Sequence, residues 1–338
     1  MTLRIAVVGL GHGRSFLRLA AEHPRTEPVG GVDLDEDLLQ AVREEYGVRT
    51  WRSLEDMVES GEAEAVVLAL PTRFHAETSV LCLDRGLHVL QEKPLCRTGE
   101  EAGRIEEAIE GSGRVFQVGY EVRSSRLHRS IMDHIRRGDL GEVTGVWYNQ
   151  HTLAKRKAGE WRENRGEMGG KLFDCACHYL DLMWQWAGAR PVRLVALGNR
   201  LGETGRCPDA LPESAAIAIE YANGVRGTYN FGERNDFNDD ACFGVAGTTG
   251  RIKGNPWQPE GAGSYELRTD RGARKGRIVF DGQLCSRGHL GFAEQFDRFV
   301  RTVLDGAPNV CPFEDALVTH RLLEAIDRSL ASGEVVEL

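Results

Sequence analysis

Nothing in the 338 residues approaches the ~20 consecutive apolar residues that a membrane-spanning helix needs. The N-terminal MTLRIAVVGL also lacks a long apolar segment with a small-residue cleavage site, so no secretory signal is expected. Positive charge is in deficit, with 42 Lys plus Arg against 51 Asp plus Glu and a net charge of −9. That balance favours solubility and argues against a general polyanion surface, hence against nucleic acid as a partner. No tandem repeat of fixed period is visible. The eight cysteines (82, 96, 175, 177, 207, 242, 285 and 311) are mostly scattered. Without a signal they read as reduced thiols rather than a disulfide framework, and four-ligand zinc spacing is absent. NDFNDD (235–240) gathers carboxylates without calcium-loop spacing and reads as a polar turn. These absences leave a cytoplasmic protein with no membrane partner and no metal.

What is present is an ordinary globular composition, 41% apolar and 28% charged, in a chain long enough for about two domains. Up to Tyr120, short apolar runs alternate with longer amphipathic ones. LRIAVVG (3–9), PVGGVD (28–33), AEAVVLAL (63–70), HVLQEK (88–93) and RVFQVGY (114–120) read as strands. Helical stretches at 14–23, 35–46, 75–85 and 99–110 separate them. The runs are nearly continuous rather than alternating, as suits strands covered on both faces. The fold class is therefore α/β, a doubly wound parallel sheet over residues 1–122 with ligands beyond its carboxyl strand ends. Residues 123–338 change pattern. VTGVWYNQHT, VRLVALGNR, SAAIAIEYANGVRGTYNFG and CFGVAGTTGRIKG read as antiparallel strands, with a hairpin turn at ANGV (222–225). Helices at 292–304 and 315–330 complete an α+β domain with an open, largely antiparallel sheet.

GLGHGRS (9–15) lies between a strand and a helix. Gly9, Gly11, His12, Gly13 and Arg14 form a dinucleotide-type turn in which Arg14 takes the place of the third glycine of G-x-G-x-x-G. That glycine serves helix–strand packing, so nucleotide binding survives its loss, and Gly13 keeps the backbone free one position earlier. Asp33 ends the second strand 22 residues after Gly11, close to the ~20 expected for a ribose-binding carboxylate. A carboxylate there repels a 2′-phosphate and favours NAD over NADP. Arg14 is the feature that would accept NADP.

Two further stretches carry chemistry. In QEKPL (91–95), Lys93 stands at a strand's carboxyl end, and Pro94 restricts its backbone. A crowded ammonium there can polarise a hydroxyl or carbonyl oxygen, and the competing reading is a surface lysine. In GGKLFDCACHYLDLMWQW (169–186), a helix from Leu172 onward sets Asp174, His178 and Asp181 on one face. A carboxylate beside an imidazole raises its basicity and orients it, as a general base requires. The alternatives are a surface pair and a metal site using Cys175, Cys177 and His178, although C-x-C in a helix splits its sulfurs between faces.

Together the G-x-G turn, ALPTRFH (69–75), HVLQEKP (88–94), Gly169-Gly170 with Asp174-x-x-x-His178-x-x-Asp181, and EDALVTHRLLEAIDRSLASG (314–333) resemble the Gfo/Idh/MocA oxidoreductases. The resemblance runs from about residue 3 to the C-terminus. It implies an NAD(P)-dependent enzyme moving a hydride to or from a carbon of a sugar, inositol or related polyol. By the same resemblance Lys93 bonds the reacting oxygen, His178 exchanges its proton, and Asp174 orients substrate and tunes the pair. Leu70, Pro71, Thr72 and His75 would line the cofactor cleft, with Glu92 and Pro94 beside the nicotinamide ribose. Trp161 and Arg162 would reach over the cofactor. Arg123 matches an arginine near the domain junction, and with His151 it is expected at the substrate. The open sheet's exposed face is expected to make a homodimer or homotetramer.

The sequence departs from the family pattern at Arg14, at Glu121, where an uncharged residue is frequent and a second carboxylate now stands near cofactor or substrate, and at Ala176, where many members have glycine. Two rival functions share the resemblance. One is a redox-neutral NAD-dependent glycosidase, which the retained D-x-x-x-H-x-x-D helix disfavours. The other is a nucleotide-sensing regulator without catalysis, which has no need of Lys93, Asp174 and His178 together.

Overall fold

Strands β1 (Leu3–Val8), β2 (Thr26–Val32), β3 (Arg49–Trp51), β4 (Ala65–Leu68), β5 (His88–Glu92) and β6 (Phe116–Gly119) form one sheet in the order β3-β2-β1-β4-β5-β6. Every pairing in it is parallel. Helices α1 (Leu10–Glu22), α2 (Glu36–Tyr46), α3 (Leu54–Glu59), α4 (His75–Asp84) and α5 (Gly99–Ser112) supply the crossovers. The computed structural model describes residues 1–153, 167, 172–199, 214–234, 240–258, 262–279 and 291–338. All four residues of β4 are buried, as continuous apolar runs require of a sheet covered on both faces. The strand order reverses between β1 and β4, and that reversal is where a doubly wound sheet opens a crevice.

β3 and α3 were not expected. Three strand residues and a six-residue helix are too short to show a period. Their local chemistry is nonetheless orderly, since the Ser53 hydroxyl caps α3 by accepting the Asp56 N–H at 3.0 Å.

The glycine turn differs from the expected one. Helix α1 starts at Leu10 rather than near Arg14, because Gly9 takes φ +86° and turns the chain straight into it. A Cβ on Gly13 would lie 2.7 Å from Val7 Cγ1 and 3.2 Å from Ala69 Cβ. Gly13 therefore provides the close helix–strand approach expected of position 14, while Arg14 points outward and pairs with Glu45 of α2. Gly11, by contrast, has nothing within 4 Å of a built Cβ. Both glycines are helical, so each alanine gains ~1 kcal/mol of propensity, but overpacking at Gly13 costs about 1–3 kcal/mol. Gly11→Ala is expected to raise stability by up to ~1 kcal/mol and Gly13→Ala to lower it by about 1 kcal/mol, read by urea titration.

The second sheet has nine strands in the order β14-β13-β12-β11-β7-β10-β9-β8-β15. They are β7 (Val143–Leu153), β8 (Pro191–Asn199), β9 (Ser214–Tyr221), β10 (Arg226–Arg234), β11 (Asp240–Gly247), β12 (Gly250–Gln258), β13 (Ala262–Thr269), β14 (Gly272–Val279) and β15 (Val336–Glu337). Only β7 and β10 pair in parallel among the described residues. The β9–β10 hairpin turns at Ala222-Asn223-Gly224, where the glycine alone takes positive φ, +87°. Helix α6 (Arg126–Arg136), a five-residue π segment (Leu172–Ala176) and α7 (Cys177–Ala187) accompany this sheet. On β7 the buried Tyr148 stacks on Tyr179 of α7 at 4.2 Å.

Met1–Glu121 and Phe292–Leu317 form one compact unit, and Val122–Gly291 with Val318–Leu338 the other. Helix α8 (Phe292–Asp305) and the start of α9 (Phe313–Ser332), expected with residues 123–338, fall in the first of these compact units. Cys311 O accepts the Val118 N–H at 3.0 Å along β6, Asn309 Nδ2 donates to Phe116 O at 2.8 Å, and Phe292 meets Phe16 edge-on at 5.8 Å. Amphipathic spacing shows that a helix packs, not which core receives it.

The second unit contains a histidine that reports on pH. Trp186 Nε1 donates to His128 Nδ1 at 3.1 Å, so that nitrogen must stay unprotonated. Burial first, then the charges of Arg123 and Arg136, pushes the His128 pKa from 6.5 down to about 3. The unfolded chain therefore takes up this proton first as pH falls. Stability present above about pH 6.5 is lost on acidification at up to ~1.4 kcal/mol per pH unit. His128→Gln, which keeps an acceptor for Trp186, is expected to lose about 2 kcal/mol less than wild type between about pH 6.5 and 4.5 in denaturant titrations.

Candidate active site

In the first unit the predicted residues gather at the carboxyl ends of β1, β2, β4 and β5. A Cβ on Gly9 would lie 2.4 Å from Ala69 O, so only glycine lets β1 and β4 approach this closely at the switch point. The exposed Gly11 and His12 occupy the first turn of α1, where N–H groups have no partner within the helix. Asp33 Oδ2 accepts the Leu10 N–H at 2.7 Å and Oδ1 the Asp35 N–H at 3.0 Å. A carboxylate has about four lone-pair sites, so two of them remain for a ligand hydroxyl. Arg14, the expected cation for a 2′-phosphate, is committed to Glu45.

At the end of β5, Glu92 is buried and its Oε2 accepts the Lys93 N–H at 3.2 Å, while Oε1 lies 3.7 Å from His12 Nε2. Lys93 itself is half-buried, and the Lys93–Pro94 peptide bond is cis. After β4, Leu70 and Pro71 are half-exposed, whereas Thr72 and His75 are buried. His75 is fully buried, with Nδ1 2.8 Å from Pro94 O and Nε2 2.9 Å from Leu70 O. Burial holds its pKa below the usual value, although both carbonyls and Glu92 pull it up. Its ring binds backbone rather than facing a cleft. Glu121, in the turn that closes the unit, is also buried.

In the second unit Asp174 lies in the π segment and His178 in the first turn of α7. π segments are frequent at functional sites, and this one gives the chain a wider turn between the two residues than the expected α-helix. Asp174 is buried and His178 half-buried. Asp181 departs from the shared face. Its carboxylate accepts Arg123 Nε and Nη2, each at 2.7 Å, Thr319 Oγ1 at 2.8 Å and Gln185 Nε2 at 3.0 Å. Four donors fill its acceptor sites, so Asp181 has none left for His178. Arg123, expected at the substrate, is held in this buried bidentate pair.

His151 is a second correction. Burial alternates along β7, so Tyr148 and Gln150 face α7 while the half-buried His151 lies on the opposite face, over Gly232. Gln150, which accepts the Tyr229 hydroxyl at 2.8 Å, was missed, although counting by twos from Tyr148 would have found it. Also missed was Gln91, a buried amide that follows Val89 and Leu90 in β5. Trp161, Arg162 and Gly169-Gly170 lie outside the described residues.

A glycine turn at the switch point of a parallel sheet, with a carboxylate ending the second strand, defines a dinucleotide-binding protein of the doubly wound class. Residues 3–120 match the NAD-binding Rossmann fold of the Gfo/Idh/MocA oxidoreductase family, and residues 133–338 match that family's C-terminal alpha/beta domain. The chain belongs to this family. It is 26% identical over 333 residues to rhizopine catabolism protein MocA of Rhizobium meliloti, covering 97% of this chain and 95% of that protein. It is 23% identical over 343 residues to scyllo-inositol 2-dehydrogenase (NAD(+)) of Bacillus subtilis strain 168, covering 99% and 96%. The fold also matches GenD2 from gentamicin A biosynthesis, solved in complex with NAD, with a TM-score of 0.85 at 23% identity over 100% of this chain and 96% of that one. The residues present fit NAD. Gly11 leaves open space at the start of α1, and Asp33 keeps acceptor capacity for a ribose.

Proposed function

We propose that the protein is a cytoplasmic NAD-dependent dehydrogenase acting on a secondary alcohol of a sugar, inositol or related polyol, with Lys93 and His178 serving the reacting oxygen. The observation that carries this reading is the placement of Lys93, whose backbone is fixed at the ligand end of β5 in an NAD-binding unit. The inositol dehydrogenase among the relatives supports the substrate class.

Bound nicotinamide supplies the hydride acceptor, or the donor in the reverse direction. The protein manages charge and proton. As the hydroxyl proton is withdrawn, negative charge builds on the oxygen and the Lys93 ammonium donates a hydrogen bond to it, and hydride loss from the carbon then collapses that charge into the carbonyl. Neutral His178 takes the hydroxyl proton, and Asp174 orients the imidazole and stabilises the cation that forms. The alcohol thus loses one hydride and one proton and becomes a ketone.

Purified protein mixed with NAD or NADP and a panel of inositols, aldoses and sugar acids tests this. Reduced nicotinamide is expected with one substrate class. Glycoside cleavage without net cofactor turnover, or cofactor binding without turnover of any kind in either direction, would overturn it in favour of the glycosidase or the sensor. Asp33→Ala is expected to cut the NAD over NADP preference about 10-fold, since one carboxylate–phosphate repulsion near the surface is worth about 1–2 kcal/mol. Fluorescence titration with each cofactor reads it. An unchanged preference would place the selector elsewhere.

Self-association is part of the same reading. On the outer face of the second sheet, Leu197 is 67% exposed and pairs in register with the exposed Ala216. Small residues there suit a homodimer or homotetramer interface, measurable by light scattering.

A further inference from the structure

We infer that His75, Ser79 and Gln91 form a buried clasp that positions Lys93, which makes His75 a positioning residue rather than a cofactor contact. This rests on the proposed role of Lys93. His75 and Ser79 stand one turn apart on α4 and are both fully buried. The His75 ring lies between two turns, with Nε2 2.9 Å from Leu70 O after β4 and Nδ1 2.8 Å from Pro94 O after β5, and the single N–H of the neutral ring donates to one of these carbonyls while the ring fills the space between them. The Ser79 hydroxyl donates to Gln91 Oε1 at 2.7 Å, which fixes the amide so that Nε2 donates to Leu95 O at 2.8 Å and Pro94 O at 3.3 Å.

Buried polar groups are costly unless fully engaged, so a fully buried glutamine is retained for its hydrogen bonds. Here the amide nitrogen faces only backbone carbonyls around Lys93, those of Glu92, Pro94 and Leu95. Upstream, Glu92 Oε2 holds the Lys93 N–H. Downstream, the Pro94 and Leu95 carbonyls accept from Gln91, and the His75 ring packs against the Pro94 carbonyl. The lysine is therefore pinned on both sides, and its side chain leaves the backbone in one direction. Misplacing a reacting group by ~1 Å costs roughly 100-fold in rate, so this support is expected to show in catalysis.

The test uses Ser79→Ala, Gln91→Met and His75→Ala in the full chain. The pH dependence of Lys93 labelling by an amine-reactive reagent is followed by mass spectrometry, alongside kcat, KM, the NAD dissociation constant and thermal stability. Ser79→Ala, the mildest change, is expected to shift the Lys93 labelling midpoint by at least about half a pH unit and lower kcat roughly 10-fold, with NAD affinity within about threefold. Gln91→Met is expected to do more, and added imidazole to restore the labelling midpoint of His75→Ala. An unchanged labelling midpoint in all three variants overturns the clasp, whatever happens to their stability. Labelling needs no substrate. If no polyol is turned over but the midpoints shift, the clasp stands and the proposed reaction falls.

Discussion

Lys93→Ala is expected to bind NAD with nearly wild-type affinity and to lose turnover by about 10³–10⁴-fold. The magnitude follows from what the ammonium supplies. A charge-assisted donor to a developing oxyanion contributes about 10²–10³-fold, and the same ammonium assists the proton transfer to His178, a step worth about 10²–10⁴-fold in all. The two effects overlap, so their product is an upper limit. Binding should survive, because the residues expected to hold the dinucleotide's adenosine and phosphates are Gly9, Gly11 and Asp33, just after β1, in the first turn of α1 and just after β2. Local structure should survive as well. The bonds that fix this turn run through backbone atoms and through Glu92, Gln91 and His75, none of which the truncation removes. Lys93→Arg is not a rescue. A guanidinium keeps the charge but is planar, directs its donors differently and is bulkier than the ammonium it replaces. Stopped-flow single turnover with a responsive polyol, beside a titration of NAD binding, separates chemistry from affinity. Near-normal turnover in Lys93→Ala would transfer its role to another group.

Much of the first unit was legible because a doubly wound sheet writes itself into continuous apolar runs. LRIAVV, AVVL and HVLQE each became a buried parallel strand, and the spacing from Gly11 to Asp33 put the carboxylate at the end of β2. Position 14 was misread for a physical reason. The motif names a residue offset, but the structure needs only one glycine facing the strand, and starting α1 at Leu10 gives that duty to Gly13. What sequence could not give was long-range pairing. Arg123 and Asp181 lie 58 residues apart and Arg14 and Glu45 31, and no local pattern announces either partner. Arg123 was expected at the substrate from the resemblance, with its counter-ion out of sight. For His151 the alternation along β7 was there to be counted, and it sets that ring on the face opposite Tyr148 and Gln150.

Asp181→Ala is the change expected to cost most stability, about 3–5 kcal/mol, although Asp181 is no catalytic group in this reading. Its side chain is fully buried and that of Arg123 only 3% exposed, so removing the carboxylate strands a guanidinium away from water. Thr319 and Gln185 lose their acceptor in the same step, which adds to the loss. The comparison that isolates the cause is Arg123→Met with Asp181→Leu. Taking both charges away removes the desolvation penalty along with the attraction, so the double variant should fall within about 1 kcal/mol of wild type or exceed it. Thr319→Val, which deletes one neutral donor, should cost only about 1 kcal/mol. Unfolding followed by tryptophan fluorescence suits the question. Trp184 donates to Thr319 at 3.1 Å and lies under the Arg123 guanidinium at 5.4 Å, so its emission reports on this cluster. A loss below about 1 kcal/mol in Asp181→Ala would mean that water reaches the guanidinium, and that α7 is held in place by its aromatic stack on Tyr148 instead. A large loss in the single variant, recovered in the double, would show that Asp181 serves to complete a buried charge pair with Arg123.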